Sequence, residues 1–409
     1  MFIHAMTGVL FAYLLIRFVL PSRLGAKGKV VLALVLFVAS QEHLFNRLFG
    51  GLSSPELPAP VLMVQGWLFI SAILLFLFVL ARDIVRLIKR FLPQKLFSGL
   101  PGGGTAASQS GGPASESRRA FVKGGAALFP AAVAARGPIL SGLVLGPAAV
   151  GVFESVKVPD VHPIEARLAN LPKALDGFKL VQVSDMHVSP LLRSDWARGV
   201  VERINELEPD LVVFTGDLVD GIPAHRADSV RWLAKLKSRY GVYGCAGNHE
   251  YYNGFSEWMD VFSELGIRML LNEHAVIGAK GEELVLAGIT DVAAERFSLP
   301  LPNLGAALAD TPDKAVRILM DHRPGNAVSN AQHKVDLQLS GHTHGGHMPG
   351  MTEVVCLFNQ GFLRGWYSVN GMPLYVSTGA GLWNGFPVRL GVPSEIALMT
   401  LRAQGATGA

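Results

Sequence analysis

Leu339-Ser340-Gly341-His342-Thr343-His344-Gly345-Gly346-His347 places three imidazoles among glycines directly after the apolar, strand-like run Val335 to Leu339. Residues two apart in an extended segment point the same way and lie ~6–7 Å apart, so His342 and His344 reach one pocket without having to share one ion. That spacing suits two adjacent metals. An isolated H-x-H is more often a polar turn than a metal site. This one is not isolated. Four upstream apolar runs also end on metal-competent residues: Val181 to His187 with Asp185 and His187, Leu211 to Asp217, Val242 to Glu250 with Asn248 and His249, and Ile318 to Pro324 with His322. Five strand ends would deliver their polar residues to one rim.

The elements that must hold such a rim follow from hydrophobic patterning. From Glu154 onward the chain reads as a globular α/β domain of about 250 residues, long enough to bury a substantial core. Phe178 to Val183, Leu211 to Phe214, Gly241 to Cys245, Leu284 to Ile289, Val316 to Met320 and Val335 to Leu339 read as strands. Ser194 to Leu207, Arg226 to Arg239 and Ser256 to Leu265 read as amphipathic helices between them. Chemical groups just past strand C-termini are where α/β sheets place ligand sites. Further short strands are expected around Val354 to Phe358, Leu374 to Ser377 and Glu395 to Leu401.

D-x-H, G-D, G-N-H-E, a lone histidine after a strand, and G-H-T-H, in that order with helices between them, resemble the calcineurin-like metallophosphoesterases. The resemblance spans nearly all of Leu180 to Leu401, and the ordered set is specific where each motif alone is weak. It is nearest to the membrane-associated branch carrying G-H-T-H-G-G, which Tyr375 to Gly381 and Pro387 to Ile396 also resemble. Two mixed β-sheets packed face to face, with helices outside, are what it implies. The chain departs from the family pattern at Met186, where leucine is usual, at Asp321, where a small residue is frequent, and at His347, where glutamine is common. The last two bear on substrate preference and not on metal binding.

Carried over by motif, Asp185, His187 and His344 would hold one metal, Asn248, His322 and His342 the other, and Asp217 would bridge them. The implied cofactors are two divalent or trivalent ions from among manganese, iron, zinc and cobalt. A carboxylate spans two cations ~3.5–4 Å apart, imidazoles are neutral donors, and an amide oxygen adds a ligand without charge. A hydroxide held between the ions would be the nucleophile, and the ions would neutralise the phosphoryl oxygens it attacks. His249 is the candidate acid, placed to protonate the leaving oxygen or to stabilise phosphoryl charge. Arg323 and Arg364 are candidates for substrate phosphate or for plain surface charge, and Glu250 either orients a histidine or begins a helix. His162, His225, His274 and His333 lack motif context. Cys245 and Cys356 have no ligand-type spacing and read as core residues.

The rest of the chain sets the surroundings. At 409 residues, 50% hydrophobic and a mean hydropathy of +0.35, it is too apolar for an ordinary soluble protein. Residues 1–81 read as three transmembrane helices, at Phe2 to Leu20, Val30 to about Phe49 and Val61 to Ala81. Residues 82–123 form a basic linker, with a flexible stretch from Pro101 to Pro113. Residues 124–153 are a fourth transmembrane segment or a signal opened by Arg118-Arg119, which resembles a twin-arginine export signal; Ala132-Val133-Ala134 resembles a cleavage site. Residues 154–409 are the metallophosphoesterase domain. The net charge of +4 divides into 14 Lys/Arg against 4 Asp/Glu (+10) up to Phe153 and 22 against 28 (−6) beyond it. A nucleic-acid binder would carry its positive surplus on the working domain, so nucleic acid is not an expected partner.

Both basic connectors, Pro21 to Lys29 and Arg82 to Lys123, belong in the cytoplasm by the positive-inside rule, which puts the N-terminus and the catalytic domain outside a bacterial-type inner or cell membrane. The function expected is a multi-pass, membrane-associated dinuclear-metal phosphohydrolase, cleaving phosphoester or phosphoanhydride bonds of a phosphorylated small molecule or a lipid-linked or cell-envelope substrate. Membrane lipid and the twin-arginine export machinery are the further partners. Two alternatives stand beside it: a UDP-acylglucosamine-type pyrophosphatase, which calls for a cytoplasmic site, and a non-catalytic membrane sensor of a phosphorylated ligand. His249 beside an intact ligand set favours catalysis, because a binding module needs no positioned acid.

Overall fold

The computed structural model describes residues 2–49, 55–91, 138–383 and 385–403. The expected linker from Pro101 to Pro113, the Arg118-Arg119 pair and Ala132 to Ala134 lie outside the described residues. The chain divides into two compact units, Met1–Glu42 with Trp67–Ala149, and His43–Gly66 with Val150–Ala409.

The first unit is built from apolar helices, three of which continue into the second. These helices are α1 (Phe2–Leu14), extended by a π-helical turn at Leu15–Val19, α2 (Ala26–Ser40), α3 (Glu42–Leu48), α4 (Ala59–Phe91) and α5 (Pro138–Ser155). Leu14, Val19, Leu36, Leu75, Val79 and Val144 form its core. Arg17, a charge that would be costly alone in hydrocarbon, pairs with Asp83 at 2.6 Å, and Tyr13 donates to the same carboxylate at 2.9 Å. Among the described residues, the stretch Ala59–Ile88 of α4 is long and apolar enough to cross a membrane, and α2 with α3, bent by 61°, passes the same test if the pair is one span. Ala5–Val19 and Gly142–Ser155 are shorter apolar helices.

The second unit holds two six-stranded mixed sheets. They are composed of β1 (Asp160–Leu168), β2 (Lys179–Val183), β3 (Leu211–Thr215), β4 (Val242–Cys245), β5 (Ile267–Met269), β6 (Glu273–Ala279), β7 (Glu282–Gly288), β8 (Val316–Met320), β9 (Leu337–Ser340), β10 (Gly365–Val369), β11 (Met372–Val376) and β12 (Glu395–Ala403). One sheet runs β1-β12-β2-β3-β4-β5 and the other β10-β11-β9-β8-β7-β6. β2 to β5 are parallel, as are β7, β8, β9 and β11. The last strand, β12, lies between the first two, parallel to β1 and antiparallel to β2.

Alternation along the strands decides the layers. Leu180, Leu211 and Val213 face Leu286, Ile318, Leu337 and Leu339 across the gap between the sheets. Val181, Val183, Val212 and Phe214 face the other way, onto α6 (Ser194–Asn205) and a later helix, Phe255–Glu264. Trp196, Ala197, Val200, Val201 and Ile204 make the buried stripe of α6 at helical spacing. The outer face of the second sheet is covered in the same manner by Leu304, Ala307 and Ala327.

Three expectations need correction. Val354 to Phe358 lies in a helix, Thr352–Phe358, and not a strand. Among the described residues no strand pairs with it, and the chain reverses at Gln360 and Gly361, where the Gly361 N–H closes onto the Cys356 carbonyl at 2.9 Å. Cys356 sits on that helix and is not a core residue, whereas Cys245 is buried. The helix expected from Arg226 to Arg239 is interrupted: an α-helix spans Pro223–Val230 and a 3-10 helix follows at Arg231–Lys235.

Candidate active site

Each candidate metal ligand, and His249 with them, lies at the carboxyl end of a parallel strand: Asp185 and His187 after β2, Asp217 after β3, Asn248 and His249 after β4, His322 after β8, and His342 and His344 after β9. The first sheet delivers five of these and the second three, and the two sheets meet at one rim. Asp185, His187, Asp217, His342 and His344 have φ between 45° and 70°. For non-glycine residues this costs on the order of 1 kcal/mol or more apiece, so something must hold the loops there.

Backbone hydrogen bonds between neighbouring loops do so. Asp185 N–H donates to the Gly216 carbonyl at 3.0 Å and His187 N–H to the Asp217 carbonyl at 3.0 Å. The His342 N–H donates to the Asp185 carboxylate at 3.0 Å, and the His249 N–H to Asp217 Oδ1 at 2.8 Å. Glu250 accepts from three backbone N–H groups, those of Gly247, Asp217 and Leu218, at 2.7–3.0 Å. It both caps a short helix and fixes the Asp217 loop. Gly247 and Gly341 are required for space, since a Cβ on either would collide with Asp217 or Asp185.

Two donor clusters result, sharing Asp217. In one, His187 Nε2 lies 3.1 Å from His344 Nε2, His344 Nε2 lies 3.4 Å from Asp185 Oδ1, and His187 Nε2 lies 3.7 Å from Asp217 Oδ2. In the other, His322 Nε2 lies 3.2 Å from Asp217 Oδ2 and 3.2 Å from His342 Nδ1. Asn248 Oδ1 accepts from Arg323 Nη2 at 2.9 Å, and Arg323 Nη1 faces His342 Nε2 at 2.9 Å, which places the amide beside this second cluster.

The remote ring nitrogens fix which lone pairs face inward. His187 Nδ1 is 3.2 Å from Asp220, and His322 Nδ1 is 2.8 Å from the Thr215 carbonyl. Both acceptors hold a proton on Nδ1 and leave Nε2 to the cluster. Burial, reinforced by Arg323 for His342 and by His347 and Arg389 for His344, keeps those two rings neutral, well below the usual histidine range. Burial opposes ionisation of Asp217, but the facing His322 and His249 outweigh it and hold the carboxyl well below its ordinary value. His322 is in turn pushed up to about 10, burial opposing and Asp217 prevailing. Ring nitrogens and carboxylate oxygens thus converge on two points, and in the metal-free chain a proton on His322 supplies positive charge where these groups would otherwise hold a cation. Oxygen and nitrogen donors of this kind fit a pair of divalent or trivalent ions.

His249 stands next to both clusters. Its Nδ1 lies 2.5 Å from Asp220, and although burial opposes the charge, Asp220 and Asp217 raise its pKa to about 9. Asp220 therefore serves two rings, orienting His187 and keeping His249 protonated at neutral pH. A histidine raised on folding adds stability in full below its unfolded value of ~6.5, and that contribution fades as pH climbs through the folded value. Asp220→Asn in the metal-free chain should bring the His249 titration down from about 9 and remove part of the stability lost between that pH and neutrality. Histidine NMR alongside denaturant unfolding would measure both, and an unmoved titration would remove Asp220 from this role.

Asp220, Glu250 as a scaffold, and Arg389 are not evident from motif reading. Asp220 stands three residues beyond Asp217, and that spacing was the available signal. Arg389, a buried charge within Val388-Arg389-Leu390, donates to the carbonyls of His344, Thr378 and Gly381 and faces His344 Nδ1 at 3.1 Å. Arg323 belongs to the site, anchored on Asp291 at 2.7 Å. Arg364 is exposed. His162, His225 and His274 sit elsewhere, against Glu395, Glu56 and the Ala307 carbonyl, and His333 is exposed.

The family profile of the calcineurin-like phosphoesterases matches residues 178–346. The metallophosphoesterase YkuE of Bacillus subtilis is 30% identical over 295 residues, which are 70% of this chain and 98% of that protein. The chain belongs to the calcineurin-like metallophosphoesterases. An Aquifex aeolicus metallophosphoesterase is 34% identical over 58% of this chain and 88% of its own length. A Danio rerio transmembrane protein with metallophosphoesterase domain is 33% identical over 62% of this chain and 60% of its own. This metallophosphoesterase spans about two thirds or less of several curated relatives, 66% for those of Campylobacter jejuni and Helicobacter pylori. Among solved structures it is similar to the phosphopantetheinyl hydrolase of Mycobacterium tuberculosis, at 12% identity and a TM-score of 0.33, over 52% of this chain and 92% of that one.

Proposed function

We propose that this metallophosphoesterase is a membrane-associated phosphohydrolase that cleaves phosphoester or phosphoanhydride bonds with two ions. Asp185, His187 and His344 would hold one ion, Asn248, His322 and His342 the other, and Asp217 would bridge them. Bound there, the ions would supply an activated water and neutralise phosphoryl charge. The chain's own contribution is to converge these donors and keep the two G-H-T-H imidazoles neutral. It also holds a proton on His249 for the leaving oxygen.

The observation that carries catalysis over passive binding is the Asp220–His249 pair at 2.5 Å beside the donor clusters. A sensor needs ligands but no held proton. The test is hydrolysis of a phosphodiester and a phosphomonoester by the purified chain, before and after chelation. Activity should vanish on chelation and return with manganese, iron, zinc or cobalt. A chain that binds no metal by elemental analysis and is rescued by none of these would sink the proposal.

Sidedness is part of the same reading. Glu56, in the loop between α3 and α4, accepts from Arg226 Nη2 at 2.5 Å and lies 3.2 Å from His225 Nδ1. A loop in contact with the catalytic domain shares its side of the membrane, so an even number of crossings must separate Pro58 from Val156; α4 and α5 supply two. With Arg82 to Lys123 in the cytoplasm, both loop and domain lie outside. Replacing Arg118 and Arg119 with lysine should then trap a reporter fused after Ala409 in the cytoplasm without disturbing α1 to α4. Cytoplasmic reporter activity from the unaltered chain would refute this sidedness and favour a cytoplasmic nucleotide-lipid substrate.

A further inference from the structure

The helix Thr352–Phe358 buries none of its residues. Val354, Leu357 and Phe358, at i, i+3 and i+4, form one stripe and are 40%, 78% and 72% exposed. An exposed apolar stripe of this kind marks a surface that something else covers. The helix begins five residues after His347, and Gly346 lies so close to Thr352 that a Cβ there would strike its backbone.

A chain of contacts within the second unit points to the cover. Gly66 of α4 lies against Pro387, and Gly151 of α5 against Val388 and Leu390, too closely for a Cβ at either position. The Arg389 N–H donates to the Gly151 carbonyl at 2.8 Å, and the Leu390 N–H to the His347 carbonyl at 3.0 Å. Along these helix ends Val61, Val64, Val150 and Phe153 are also exposed apolar residues. The loop that carries Arg389 therefore joins the apolar helices to the G-H-T-H-G-G-H segment, and the exposed stripe follows directly from that segment. Trp383 and Phe386, at the start of the same loop, stack edge-on near His249 and His347, with ring centroids 6.4 Å and 5.2 Å away.

We infer that the Thr352–Phe358 stripe seats in the bilayer surface beside α4 and α5, and that the site takes its phosphate from an amphiphile embedded in that bilayer. The seat presupposes the membrane crossing by α4 proposed above. A short amphipathic helix with three apolar side chains is marginal as an anchor by itself, but it orients a domain already tethered by a spanning helix. The rim then faces the lipid headgroups, the leaving group stays on the apolar side, and the phosphate enters between the donor clusters.

The full chain in proteoliposomes tests this. With Cys356→Ser, an environment-sensitive label on Leu357→Cys should be quenched by brominated acyl chains and shielded from aqueous iodide. A label on Val64→Cys in α4 is the control. If Val64 is quenched by lipid while position 357 is open to iodide, or is shielded from both quenchers by protein, the seat is wrong and the crossing stands. If Val64 is open to iodide, the crossing itself fails. Leu357→Glu with Phe358→Glu should keep turnover of a soluble aryl phosphodiester within about twofold and lower turnover of phosphatidic acid in phosphatidylcholine vesicles by roughly tenfold or more. Equal loss on both, or no loss on the vesicle substrate, would overturn the inference, as would an unaltered chain that cleaves the soluble ester and no vesicle phospholipid.

Discussion

Asp217→Ala should reduce phosphoesterase activity to background and deplete both metal pockets, whereas His187→Ala or His322→Ala should each spare part of the metal content. The asymmetry comes from geometry. Asp217 Oδ2 lies 3.2 Å from His322 Nε2 and 3.7 Å from His187 Nε2, so one oxygen belongs to both clusters. Its other oxygen accepts the His249 N–H at 2.8 Å, so the same change also releases the backbone of His249. Alanine at φ 54° adds strain on the order of 1 kcal/mol that aspartate tolerates better. Asp217→Asn separates these effects: it should keep the turn and weaken only the bridge. Metal content by elemental analysis and turnover on one phosphodiester decide the matter. The bridging role is lost if Asp217→Ala keeps two ions, or if it costs no more than His187→Ala.

His249→Ala should behave in the opposite manner, retaining its metal while turnover falls by roughly 100-fold or more, as expected for a missing general acid. Asp220 faces Nδ1 of this ring at 2.5 Å, and in the metal-free chain it and Asp217 raise the His249 pKa to about 9 against the effect of burial. The loss should shrink on substrates with good leaving groups, whose departing oxygen needs little protonation. Comparing aryl esters of graded leaving-group pKa in both proteins gives the readout. A uniform loss across the series would make His249 a phosphoryl-charge stabiliser and not an acid, and loss of metal would make it a ligand.

The site was more legible than its supports. Asp185, His187, Asp217, Asn248, His322, His342 and His344 each follow an apolar run, and runs such as Leu211 to Phe214 and Ile318 to Met320 are continuous because both faces of those strands are buried. β1 escaped notice because it is an edge strand, mixing Asp160, His162, Glu165 and Arg167 with few buried side chains. β6 alternates as a half-buried strand should, but with alanine and glycine at several positions its periodicity is faint. Val354 to Phe358 has strand composition and no strand neighbour, which no local pattern reveals. Asp220 and Arg389 owe their importance to partners brought close by the fold, and Arg389 is 45 residues from His344.

The position of β12 has a consequence for how the protein is made. β1 pairs with β12 in the first sheet, and β2 takes β12 on one side and β3 on the other. A ribosome working at ~5–20 residues per second therefore leaves β1 without its partner, and β2 half paired, for roughly 10–50 s while the chain from Leu168 to Glu395 is threaded out. The sheet that supplies Asp185, Asp217 and Asn248 closes only when the final strand has been released. Until then the newborn chain presents an open seam, and whatever shelters that seam, whether chaperone or membrane surface, acts before the enzyme first meets its ions.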